Sequence, residues 1–180
     1  MLLVGGWTIA AMLQPRSFNS VADTVSALAA VGATDRWVMT LAFLVVGVCD
    51  AVTGAALRPA APAGRLILVA GAIAGMLVAA NPEHPGGGSV LHAIWASLGL
   101  AGLAAWPAGA WRRGPSMPWG LRPAACFAAV AVQLILLAWF VAELVTGAGQ
   151  VGLAERVVGA AQAIWPLVVV LSCRAAAASA

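Results

Sequence analysis

Both histidines of the chain fall in one polar stretch between two long apolar segments, Asn81 to Trp95, and His92 is the residue there best suited to chemistry. An imidazole takes up or gives a proton near neutral pH, and a carboxylate beside it would make it a proton acceptor. Asp23, Glu83 and Glu155 are the carboxylates able to play that part. We therefore take Asp23, His92 and Glu155 as candidate acid–base residues, with Ser26, Asn81, Glu83, Trp95, Arg156 and Gln162 as candidate ligand contacts around them. Each has a plainer alternative. His92 can bond a loop carbonyl at an interface, Glu155 and Arg156 can be interfacial charges, and Gln162 can be interhelical glue worth about 0.6–2 kcal/mol.

Asp50 is a different case, because it lies about 20 Å inside an apolar segment, where a charge costs about 2.5–3.5 kcal/mol on insertion scales. Gly47 and Gly54 flank it at i−3 and i+4, so a neighbouring helix can approach on that face. A proton site is one reading of Asp50; a protonated aspartate, or one paired with Arg122 or Gln133, is the other. No metal or cofactor is expected: His84 and His92 stand eight apart with no third histidine, and neither HExxH nor CxxC is present. No GxSxG elbow or GxxxxGK loop occurs.

The elements that must position these residues follow from composition. Of 180 residues, 63% are hydrophobic and 8% charged, with a mean hydropathy of +0.99. A soluble domain is about half apolar and a quarter charged, so this is an all-α integral membrane protein forming one domain over 1–180. All nine cations are arginines, which with the alanine content points to a GC-rich bacterial genome. The formal charge of +3 carries no argument for nucleic acid. Cys49, Cys126 and Cys173 lie in or beside apolar segments and read as small hydrophobes.

Six spans are expected. The first, Met1 to Leu13, is short and ends at Pro15. Trp37–Leu57, Arg65–Ala80, Val90–Trp106, Ala124–Thr146 and Leu153–Ser172 supply the rest. Between the first two, Ser20-x-x-Asp23 resembles a capping box, and Val21, Val25 and Leu28 recur at helical spacing, predicting a short amphipathic surface helix closed near Gly32. Asn81-Pro82-Glu83-His84-Pro85 and three glycines must be a reversal, with Ser89 as N-cap of the next span. Six arginines in alternate loops face three in the others, so the positive-inside rule puts both termini in the cytoplasm of a bacterial inner membrane. Trp37, Trp106, Trp111 and Trp119 mark span ends, Glu143 reaches the interface, and the alanine-rich tail after Arg174 is expected to fray.

This topology turns the Asp23 segment, the Asn81 reversal and Glu155 toward the same outer side. Glu155, Gly159 and Gln162 stand at i, i+4 and i+7, a polar stripe that should look into the bundle, since lipid offers a glutamine no partner.

The chain also resembles, along nearly its whole length, a bacterial membrane family catalogued as domain of unknown function 998. The resemblance rests on Leu13-Gln14-Pro15, on Asp23-Thr24-Val25-Ser26-Ala27-Leu28-Ala29-Ala30, on Trp37-Val38-Met39, on Asn81-Pro82-Glu83 before Leu91-His92, and on Glu155-Arg156. It implies a six-helix bundle and no particular activity. Where members often carry a second histidine shortly after the His92 position, Trp95 and Ala96 stand here.

Three functions follow as expectations. The first is a protein that binds a small or lipid-like ligand through the outer polar cluster, with membrane lipids as its surroundings. The second is an enzyme acting on a lipid or isoprenoid by acid–base chemistry, as a cyclase or hydrolase does, with Trp95 and Trp165 as aromatic walls. The third, a proton-coupled transporter using Asp50, lacks the internal repeats of such proteins. The enzyme requires an enclosed apolar cavity with two or more carboxyls pointing in, whereas a scaffold requires a filled bundle centre.

Overall fold

The computed structural model describes residues 2–84 and 88–178. Its helices are α1 (Leu2–Met12), α2 (Trp37–Ala56), α3 (Pro62–Ala80), α4 (Val90–Ala110), α5 (Pro123–Thr146) and α6 (Val151–Ala178), with single 3-10 turns at Ser26–Ala29 and Trp119–Leu121. Helices α2 to α6 are long and apolar enough to cross a membrane. Helix α1, also apolar, has 11 residues and a length of about 16 Å.

Local chemistry sets the boundaries. Proline, whose missing N–H costs nothing in a first turn, opens α3 at Pro62 and α5 at Pro123, earlier than the apolar pattern suggests. Ser89 caps α4, its hydroxyl accepting the His92 N–H at 3.4 Å. Gly147, at φ 65°, ends α5 in the left-handed conformation that lacks a steric penalty only for glycine. The string Gly147-Ala148-Gly149-Gln150-Val151-Gly152 has the GxGxxG spacing of a phosphate loop, but it follows a helix rather than a strand, its first four residues forming the α5–α6 turn and its last two opening α6. Helix α6 runs on to Ala178, so the alanine tail is helical where fraying was expected. Pro85, Gly86 and Gly87 of the expected reversal, and residues 179–180, lie outside the described residues.

Within lipid no hydrophobic force drives helices together, so close backbone contact must do so. Helices α3 and α4 meet through glycine: a Cβ on Gly64 would lie 2.4 Å from Ala110 Cα, and one on Gly102 would lie 3.0 Å from Gly71 Cα. The approach expected beside Asp50 is there too, since a Cβ on Gly47 would come 3.1 Å from Ala72 O and one on Gly54 3.1 Å from Arg65 O.

The segment before α2 departs from expectation. It is not an amphipathic surface helix, and Ser20 and Asp23 form no capping box. The Asp23 carboxylate accepts the Asn19 N–H at 2.7 Å, Asn19 Oδ1 accepts the Val21 N–H at 2.9 Å, and Thr24 Oγ1 accepts the Ala27 N–H at 3.1 Å. Short polar side chains that bond nearby backbone in this way compete with helix. What remains is the turn Ser26–Ala29, sunk into the bundle with Val25, Leu28 and Ala29 buried against Trp7, Ala10 and Met39. Trp106, one turn from the end of α4, is buried with Leu68 and Leu121 rather than turned outward, whereas Trp37 and Trp119 are exposed.

Candidate functional site

Under that sunken turn lies a cavity of about 120 Å³ between α1, α2, α3, α4 and α6; α5 adds nothing to its wall. Its walls are apolar or bare backbone, and a Cβ added to Gly75 would meet no atom within 4 Å. Four polar side chains reach it: Ser26, Asp50, Glu155 and Gln162. The bundle centre is therefore not filled, and the stripe Glu155, Gly159, Gln162 faces inward as its spacing predicts.

Ser26 and Glu155 close one end. Glu155 Oε2 accepts the Val25 N–H at 2.6 Å, and Oε1 lies 3.3 Å from Ser26 Oγ. Behind Ser26, away from the cavity wall, His92 is 5% exposed with its Nε2 3.1 Å from Ser26 Oγ. The other ring nitrogen, Nδ1, is 3.0 Å from the Asn81 carbonyl oxygen. A carbonyl only accepts, so the ring proton sits on Nδ1 and neutral Nε2 is left as an acceptor. The Asn81 side chain is spent locally, Nδ2 donating to Leu77 O at 2.8 Å. Glu83 Oε1 lies 3.6 Å from His92 Nε2, beyond a hydrogen bond but close enough to face any charge the ring acquires. Its carbonyl accepts the Val31 N–H at 2.8 Å, which holds the loop over the turn.

Deeper in the cavity, Gln162 Nε2 donates to Leu100 O at 2.9 Å. Asp50 is 9% exposed and forms no hydrogen bond or ion pair with a described residue. The expected partners are occupied or apart: Arg122 Nε donates to Met117 O, and both polar atoms of the buried Gln133 amide lack a partner among the described residues.

Other expected site residues are placed elsewhere. Asp23 turns its carboxylate back onto Asn19 and does not line the cavity. Arg156 Nη1 donates to the carbonyls of Ser20, Asp23 and Gly152 at 2.7, 2.9 and 2.9 Å, tying the loop to α6 from outside the cavity wall. Trp95 and Trp165 do not line the cavity; Trp7 does, a residue that nothing in its own apolar helix singles out. His84 is exposed. Glu143 is buried rather than interfacial, accepting the Trp139 indole N–H at 3.3 Å and the Gln150 N–H at 2.9 Å, which braces the α5–α6 turn.

Over residues 1–172 the chain matches the family described as protein of unknown function (DUF998), and it belongs to that family. No curated protein and no solved structure matched the chain.

Proposed function

We propose that the protein holds a single-chain amphiphile in the membrane, with part of its apolar body in the central cavity and an uncharged, hydroxyl-bearing head against Ser26, Glu155, Gln162 and Asp50. The observation that carries this reading is one space with apolar walls that is lined by four polar side chains. Lipid tails are as apolar as the cavity, so burying a chain there gains little over leaving it in the bilayer. Selection falls to the polar groups. Two of them are carboxyls and no cation among the described residues lines the space, so an anionic head is repelled while a hydroxyl finds acceptors.

A second reading, an enzyme that works on the bound lipid, is favoured by Asp50 and Glu155 facing the same apolar space. On either reading we place the protein in a bacterial cytoplasmic membrane. Arg58, Arg65, Arg112, Arg113, Arg122 and Arg174 would face the cytoplasm with the termini, and the Ser26 end would face outward.

Native mass spectrometry of the protein released from mild detergent tests the binding reading. One uncharged amphiphile per chain is the expected result. Bare protein, or retention of anionic phospholipid alone, overturns it.

A further inference from the structure

We propose that Ser26 is a nucleophile and His92 its general base, and that the bundle hydrolyses a neutral carboxylic ester whose acyl chain reaches into the central cavity. This rests on the ligand reading above and adds a reaction to it. An activated hydroxyl is recognised by a base within hydrogen-bond reach that is itself oriented by a third group. All three parts are present. Ser26 Oγ reaches the cavity, His92 Nε2 lies 3.1 Å behind it, and the Asn81 carbonyl 3.0 Å from Nδ1 fixes the tautomer that leaves Nε2 free to take a proton. Glu83 Oε1, 3.6 Å from Nε2, faces the positive charge the ring then carries.

The Ser26 hydroxyl has one proton and two acceptors, His92 Nε2 and Glu155 Oε1. Donated to His92, it is set for attack. Glu155 is a positioning residue, because through the Val25 N–H it holds the turn that presents Ser26.

The reaction balances without a further reagent. Ser26 Oγ bonds to the ester carbonyl carbon as its proton passes to His92 Nε2; the carbon–alkoxy bond breaks, and the departing alcohol takes that proton. Water then adds to the acyl carbon, giving its proton to Nε2, and the bond to Ser26 breaks as Oγ recovers the proton. One ester and one water yield one acid and one alcohol.

The test is covalent labelling of the full chain in lipid nanodiscs with a long-chain alkyl fluorophosphonate, read by intact mass and by the peptide bearing residue 26. One adduct on Ser26 is expected, absent in Ser26→Ala, with labelling slowed about 100-fold or more in His92→Ala and partly restored by added imidazole. A histidine that only braces the loop would not answer to imidazole. Folding of each variant is checked by its thermal midpoint. If wild type retains its amphiphile but takes no label, or His92→Ala labels as fast as wild type, the nucleophile assignment is wrong and the binding reading stands. If wild type neither retains an amphiphile nor takes label, both fall.

Discussion

The Glu155 carboxylate accepts the Val25 main-chain N–H at 2.6 Å, a bond between residues 130 apart in sequence. It joins the last helix to the loop before α2, and so fixes where Ser26 stands. Glu155→Ala would leave that N–H without an acceptor, a loss of about 1–3 kcal/mol for a buried group. Glu155→Gln keeps an acceptor oxygen and should lose less. Thermal unfolding in one detergent, followed by circular dichroism, would show the order wild type, Glu155→Gln, Glu155→Ala. Equal midpoints for Ala and Gln would mean that the bond does not hold the loop.

The same loop presses on α6 at Gly152, where an added Cβ would lie 2.1 Å from the Asp23 carbonyl oxygen. Gly152→Ala must move backbone and is expected to lose about 1–3 kcal/mol, as overpacked sites do. Gly5→Ala is the control, since a Cβ there meets nothing within 4 Å. It should leave the midpoint unchanged or raise it slightly. A neutral Gly152→Ala would refute the close seating of the loop.

Asp50 lines the cavity with no hydrogen-bonding partner among the described residues. A charged side chain at such depth costs about 2.5–3.5 kcal/mol. Asp50→Leu should therefore raise the thermal midpoint while weakening retention of the amphiphile, the trade expected where a costly group serves a site. A lower midpoint would contradict an uncompensated carboxyl at Asp50.

The helices were legible because apolar length is set by the bilayer, and the inward face of α6 because Glu155, Gly159 and Gln162 repeat at helical spacing. His92 stood out as an imidazole one turn into a helix, directly after a polar reversal. The Ser26–His92 contact was not legible, since it joins residues 66 apart through a loop whose period looked helical. Val21, Val25 and Leu28 do recur at helical spacing, yet Asn19, Asp23 and Thr24 bond to the local backbone and take the segment out of a helix. Trp7 gave no signal because an aromatic residue in an apolar helix can equally face lipid. Asp23, a carboxylate beside the site by sequence, turns one oxygen, Oδ2, back onto the Asn19 N–H of its own turn.

The most direct measurement concerns Gly75, whose missing side chain leaves part of the cavity open. Gly75→Leu would fill that space from a rigid helix, while Leu66→Phe, on the exposed face of the same helix, leaves it alone. With both variants folded, native mass spectra should show the amphiphile on wild type and Leu66→Phe but lost from Gly75→Leu. Undiminished retention by Gly75→Leu would contradict a ligand in the central cavity.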